Sequence, residues 1–415
     1  MATSDVDRDE TSSQTEPFLA GVKVLDFTQY LAGPSCTRLM AELGADVIKV
    51  EIGPAGDPTR TREPSRGGRS GLFIQQNRGK RSLCVDMRSP EAIGLLKELV
   101  CNVDVVVENS TPGVMSRKGL GYDDLAAVNP AIIMASISGF GQTGPLSDRR
   151  SFDFIAQAIT GMMHMTGEPD GPPYFVGVGV ADVNAGVHAF ASIGYALFQR
   201  ERTGRGTHVD IAMTDAMFHM HEFAVQASSL TGDRSLPLRQ GRHYQPASPA
   251  GSFHGPDGWI VVLATQAQIG GLWAAMGRPE LGDDPRFASN EARVEHRGAL
   301  TALIEEWMAG FDADDDVLDA LAAAKVPCGP VLNPADAVDH PHFQARGTVR
   351  EITDPVAGTF HVPGFPIRYS ARTDPLDLIA PGLGQHNAEV LTELVGLDEQ
   401  ALADLTARGI LITDP

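Results

Sequence analysis

The chain has 415 residues, more than one hydrophobic core usually serves, and its 42% hydrophobic and 21% charged residues are those of an ordinary globular protein. A formal net charge of −20 argues against nucleic acid and anionic membrane as partners, because both would be repelled. Cys36, Cys84, Cys101 and Cys328 show neither metal spacing nor a disulfide framework, which fits a cytoplasmic setting.

Residues 1–19 read as a disordered acidic tail, without the basic start and apolar core of a signal peptide. Val22–Phe27 predicts a strand, Pro34–Leu43 a helix stopped by Gly44, and Asp46–Glu51 a second strand. Ile52–Gly71 is a loop rich in Gly, Pro and Arg, and Ser82–Met87 is extended. Ser89-Pro90-Glu91 opens a helix running to Asn102, with a cap residue, a first-turn proline and an acid by the dipole. Val103–Glu108 and Ala131–Ile137 are strands on either side of the helical Tyr122–Val128. This alternation predicts an α/β fold, a Rossmann-like domain with a parallel sheet covered by helices. Its ligand would lie at the strands' carboxyl ends, near Glu51, Asn109 and Ser138.

Tyr174–Val180 reads as a strand or buried extended segment, Asn184–Arg202 as a long apolar helix and Thr207–Met213 as a strand. Asp182 stands at the junction of the first two, where the positive helix end would keep a dry carboxylate ionised. Such a carboxylate is either a helix cap or a nucleophile. The large domain is drawn over 20–228, a linker over 229–250, a smaller α+β domain over 251–330 and a return linker with short strands over 331–374. Helices in 375–415 return to the large domain. Within the small domain, Trp259–Ala264 is extended and Gly270–Met276, Val294–Phe311 and Asp314–Lys325 are helical. The apolar run Val187–Phe198 is too short to span a bilayer.

Gly139–Gly144 fits G-x-G-x-x-G after a strand, yet Pro145–Arg150 carries no apolar helical period. The run therefore reads as a glycine loop that approaches a ligand closely, not as a dinucleotide fingerprint. His219-Met220-His221 and His340-Pro341-His342 lack metal spacing and read as structural or surface histidines, so no metal is expected. Cys36 and Cys328 have no nucleophile signature around them.

Seven segments, in order, resemble the family III CoA-transferases, a group that includes formyl-CoA, carnitine and succinyl-CoA-dependent transferases and 2-methylacyl-CoA racemases. They are LDFTQYLAGPSCTRLMAELGADVIKVE at Leu25–Glu51, RSLCVDM at Arg81–Met87, DVVVENSTPGVMSRKGLGYDDL at Asp104–Leu125, IIMASISGFGQTGP at Ile132–Pro145, the Asp182 segment, VPCGPV at Val326–Val331 and GLGQHNAEVL at Gly382–Leu391. The resemblance implies two domains joined by long linkers, and a homodimer whose subunits interlock like rings. It implies transfer of coenzyme A from an acyl-CoA to a small carboxylic acid, with CoA as co-substrate and no tightly bound cofactor. Asp182 matches the family's catalytic aspartate, which forms an anhydride and then an aspartyl-CoA thioester. Arg88, Asn109 and Arg117 match its CoA-contacting positions, and Gly139 and Gly141 lie in its glycine loop. Arg60, Arg62, Arg78, Lys80 and Arg81 add positive charge to the same half of the chain.

Two other readings come with the family. The racemases carry a histidine where this chain has Phe152, and phenylalanine cannot exchange a proton. A CoA-binding protein without catalysis would keep the fold, but has no use for an acid in an apolar pocket. Leu31 stands where formyl-CoA transferases have a glutamine, and Arg242–Gly258 lacks their glycine-rich lid. Both departures point to a bulkier or more apolar acid.

Overall fold

The computed structural model describes residues 16–236, 239–371, 376 and 378–413. Residues 1–15 of the expected acidic tail lie outside the described residues. The chain divides into two compact units. One comprises Met1–Ala156, Val178–His219 and His342–Pro415, the other Gln157–Gly177 and Met220–Pro341.

The first unit is built on a parallel sheet of six strands: β1 Lys23–Asp26, β2 Asp46–Ile52, β3 Lys80–Val85, β4 Val105–Glu108, β5 Ile133–Ser138 and β6 Thr207–Ala212. Their order across the sheet is β3-β2-β1-β4-β5-β6, so the winding direction reverses between β1 and β4. In open α/β sheets that reversal splays the connecting loops apart and leaves a crevice at the carboxyl ends. The central strands are buried on both faces, which is why they read as continuous apolar runs with no alternation. The predicted strands and helices of this unit recur within a few residues, including α1 Ala32–Glu42, α3 Pro90–Val100 and α4 Tyr122–Val128. The helix α2 Gly71–Asn77, capped by the Ser70 hydroxyl on the Phe73 N–H, falls at the edge of the expected loop. Seven residues are too few to print a helical period.

One face of the sheet is covered by α3, α4 and the C-terminal helices Asn387–Val395 and Glu399–Ala407. Leu96, Leu99, Leu125, Val390, Leu391 and Leu405 pack there with Leu25, Ile48 and Leu83. The C-terminal chain is also stitched to β3, with Ile412 N–H donating to Cys84 O and the Asn387 side chain accepting from Cys84 N–H. The second unit has its own core around a three-stranded antiparallel sheet, Ala250–His254, Trp259–Leu263 and Cys328–Pro330. Phe253, Ile260, Trp273, Leu300, Ile304 and Leu321 fill it.

Tyr174–Val180 forms neither a strand nor a buried segment. Tyr174, Phe175 and Val178 are at least half exposed and the backbone is irregular to Gly179. The long helix α5, Val180–Thr203, starts four residues earlier than its apolar pattern suggests, so Asp182 sits inside its first turn. The small face of α5, with Ala181, Ala185, Gly186, Ala189, Ile193 and Ala196 buried, packs on α1. A Cβ added to Gly186 would come within 2.5 Å of the Ala32 carbonyl oxygen.

Gly186→Val should therefore destabilise the protein by about 2–3 kcal/mol, because α1 backbone has no rotamer with which to give way. Gly194, on the same helix, faces open space, with no atom within 4 Å of where a Cβ would stand. Alanine there should be accepted and gain up to about 1 kcal/mol. Denaturant titration of both variants checks the contrast; equal midpoints would show that α5 does not need this close approach.

Candidate active site

The crevice at the β1/β4 reversal is a cavity of about 310 Å³. It is lined from β1's loop by Gln29–Ala32, from β4's by Asn109–Pro112, and from β5's end by Ile137–Gly139, with Arg149–Phe152, Asp182 and Met213 closing it. The β1 loop is fixed from below by charge. Asp26, opposite Lys49 in the sheet and fully buried, accepts from the Thr28 N–H at 2.9 Å, the Thr37 hydroxyl at 2.8 Å and Lys80 Nζ at 2.9 Å. Burial alone would raise its carboxyl; the Lys80 and Lys49 ammoniums reverse that and hold it at about 2. Lys49 Nζ donates to the Thr28 carbonyl at 2.9 Å and pairs with Asp57 at 2.8 Å. Asn109 completes the clamp: its Oδ1 accepts from Gln29 N–H and its Nδ2 donates to Gln29 O, both at 2.8 Å.

Past this clamp Tyr30 adopts a left-handed backbone, φ +64°. For a bulky residue that conformation costs energy and persists only where the surroundings over-determine it. Its ring faces Phe152 edge-on at 6.4 Å.

Asp182 enters from the first turn of α5, and a Cβ on the N-cap Gly179 would strike Leu31 at 2.5 Å. Glycine before the helix lets the turn sit here without displacing the Leu31 side chain. Burial, and then the charge of Asp153, push the Asp182 carboxyl up to about 7. Asp153 is itself buried, and its Oδ1 accepts the Ala181 N–H at 2.7 Å and the Asp182 N–H at 3.3 Å. This corrects the expectation that the helix end keeps Asp182 ionised. The amides that would stabilise its charge serve a second carboxylate, which instead repels it.

Of the residues singled out in the sequence, Asp182, Asn109 and Gly139 line the cavity, and Arg88, Arg117 and Gly141 do not. Asn109 spends both ends of its amide on Gln29. Arg88 is exposed and bidentate to Asp86, at 2.8 and 2.9 Å, and Arg117 is exposed at the end of the short helix Val114–Arg117. Gly141 turns at φ +84° in a loop whose Gln142 N–H is held by Asp210. The wider basic cluster is largely neutralised: Arg60 pairs with Glu51, Arg78 with Glu42, Lys80 with Asp26 and Arg81 with Asp46. Glu51, expected near the ligand, is buried in its pair with Arg60 and does not line the cavity. Spacing showed those cations together but not the carboxylates that meet them. Arg149 and Arg150, by contrast, line the cavity and have no ion pair among the described residues. Two adjacent arginines after a glycine loop, in so acidic a chain, were the available signal for them.

The stretch from Gly139 to Phe152 is irregular, so β5 is not followed by the helix a dinucleotide site needs. A Cβ on Gly139 would lie 2.1 Å from that of Ser151, so glycine lets the two ends of the loop meet. His221 Nε2 is 2.6 Å from Thr160 O and His219 stands edge-on to His188. Among the described residues no group of three or more His, Cys, Asp or Glu side chains could hold a metal ion. Burial pushes the Cys36 and Cys328 thiols up, away from the thiolate a nucleophile requires. No helix among the described residues is long and apolar enough to cross a membrane.

The family profile of CoA-transferase family III matches residues 19–387. The chain is 38% identical to the succinyl-CoA–D-citramalate CoA-transferase of Chloroflexus aurantiacus, over 96% of this chain and 100% of that protein. It is 36% identical to the human succinyl-CoA:glutarate CoA-transferase, over 95% of this chain and 90% of that one. Its fold matches the crystal structure of a CAIB/BAIF family protein from Brucella suis at a TM-score of 0.81 and 39% identity, covering 91% of this chain and 100% of that chain. A Rossmann-ordered sheet, an acid at the mouth of its crevice and agreement along almost the whole chain converge, and the protein belongs to the family III CoA-transferases.

Proposed function

We propose that this enzyme moves coenzyme A between carboxylic acids through covalent intermediates on Asp182. The observation that carries the proposal is a half-buried carboxyl in the crevice, raised to about 7 and held by its own backbone against Asp153. In the first step the Asp182 carboxylate attacks the thioester carbonyl of the donor. The C–S bond breaks, CoA leaves as thiolate, and an aspartyl–acyl anhydride remains. The thiolate then attacks the aspartyl carbonyl and expels the donor carboxylate, leaving an aspartyl-CoA thioester. The acceptor carboxylate attacks that thioester and releases thiolate, which takes the acceptor's acyl group and frees Asp182. An anhydride is at least as activated as a thioester, so the group-transfer potential is conserved. Partial burial of Asp182 limits hydrolysis of the intermediate and strengthens its nucleophilicity once ionised.

Arg149 and Arg150 are our candidates for the phosphates of CoA, being cations without carboxylate partners beside the nucleophile's cavity. Arg88 and Arg117 stay as proposed outer contacts. Succinyl-CoA is the donor to try first, since two similar proteins carry it in their names. Proton exchange at an α-carbon is disfavoured, because Phe152 offers no proton and Asp153 is committed to two backbone amides. Val183, Val187, Tyr195 and Phe198 leave apolar area of α5 exposed, which supports a second copy as its cover and hence a homodimer. Four cysteines without a disulfide suit a reducing cytoplasm.

Asp182→Ala should lower CoA exchange by a factor on the order of 10⁴ while the Kd for CoA stays within about threefold. Hydroxylamine with succinyl-CoA should convert Asp182 of the wild type to a hydroxamate, detectable by peptide mass spectrometry. Exchange surviving in the mutant refutes the nucleophile.

The attacking form of Asp182 is the ionised one, so kcat/KM should fall as pH drops through about 7 and level off above it. Asp153→Asn keeps an oxygen for the two amides and removes the repelling charge. Its acid limb should shift to lower pH; a limb that stays in place would detach Asp153 from the ionisation.

Calorimetry should find that changing Arg149 and Arg150 together to Gln weakens CoA by at least about tenfold and flattens its salt dependence. Unchanged affinity would return the phosphates to Arg88 and Arg117.

A further inference from the structure

We propose that Tyr30 and Phe152 form an aromatic wall for the acyl chain, so that the acids handled here carry a hydrocarbon segment of two or more carbons. The inference rests on the transferase reading and specifies its substrate class. The rings meet edge-on at 6.4 Å and both line the cavity that holds Asp182. Phe152 is 68% exposed and Tyr30 38%, so neither ring is needed to fill the core of the fold.

Tyr30 is held there against its backbone preference. The other non-glycine residue with positive φ among those described, Lys325, follows the helix Asp314–Ala323, where a left-handed residue ends the helix and its neighbour Val326 N–H bonds back to Leu321 O. Tyr30 precedes a helix and ends no other. Its strain is imposed by Asp26 and Lys49 on Thr28 and by Asn109 on Gln29. Backbone strain sustained by buried charges at a ligand cavity marks a side chain aimed for use.

The wall belongs to the reacting end of the substrate. Leu31, next to Tyr30, abuts the Gly179 cap of the turn that carries Asp182. Asp153, next to Phe152, accepts the Asp182 N–H. Each ring is thus one residue from a group touching the nucleophile's own turn. Around them the cavity carries polar Asn109, Ser110, Arg149, Arg150 and Asp182 and aliphatic Leu31, Pro112, Ile137 and Met213, and the two rings are its aromatic surface. A methylene moved from water onto such a surface gains about fourfold in binding when fully covered. Formate and oxalate have none to offer.

The test uses the full-length enzyme with succinyl-CoA as donor and oxalate, malonate, glutarate and adipate as acceptors. The wild type should favour glutarate over oxalate by at least about tenfold in kcat/KM. Tyr30→Gly, which suits the left-handed backbone, and Phe152→Ala should each cut that ratio to below about threefold. Tyr30→Phe should preserve it, and the inhibition constant of free CoA should be unmoved in all three. Phe152 is mostly exposed, so its truncation remains informative even where Tyr30→Gly fails to fold. A wild type that prefers oxalate, or variants that slow every acceptor equally, would overturn the wall while leaving the transferase reading intact. Absence of transfer to any acid, with no hydroxamate at Asp182, would overturn both.

Discussion

The site depends on how near α5 comes to α1. Gly186 lies where any side chain would meet the Ala32 carbonyl, and Gly179 lies where one would meet Leu31. The absent side chain at Gly186, facing fixed backbone, thus lets α5 settle onto α1, and glycine at 179 spares Leu31 a shift. The long helix itself is anchored through a face that is alanine and glycine apart from Ile193, which gains less from burial than a leucine face but fixes distance more sharply, because so little of it can repack.

A second constraint acts from the sheet. Asp26, Lys49, Asp57 and Lys80 are all buried, in β1, β2 and β3 or just beyond them. Pairs of this kind contribute little net stability, since desolvation offsets most of their attraction. What they contribute is position. Their hydrogen bonds end on the main chain of Thr28, and the Asn109 amide takes over at Gln29. Tyr30 is left to absorb the turn into α1, and it does so in a left-handed conformation with its ring in the cavity. Fixed charges on one side and close helix packing on the other bring an aromatic wall and a carboxylate into the same crevice.

Asp153 and Asp182 show how the fold sets the chemistry of one acid with another. Two carboxylates share one helix end. Asp153 takes the amides, so the resident charge of the turn is its own and Asp182 is left with a proton affinity near neutrality. An acid so placed is a stronger base and nucleophile when ionised than a solvated carboxylate would be. The bonds that orient α5 and the repulsion that tunes Asp182 therefore come from the same side chain.

The amino-acid sequence alone determined the layers of the first unit. Continuous apolar strands, Ser-Pro-Glu and Gly punctuation and short loops describe a parallel sheet covered by helices, because burial on two faces and helix capping act over a few residues. It also carried Asp182, though through the order of seven motifs and not through any local property of the acid. The strand expected at Tyr174–Val180 failed because its valines carry β propensity while Gly177 and Gly179 oppose it, and such a weak preference yields where no strand pairs with the segment. The ionisation of Asp182, the pairing of Arg60, Arg78, Lys80 and Arg81, the freedom of Arg149 and Arg150 from ion pairs among the described residues and the strained Tyr30 were decided by tertiary structure. Each depends on which groups from distant parts of the chain come together, and Coulomb interaction and desolvation follow distance in space, not separation along the chain.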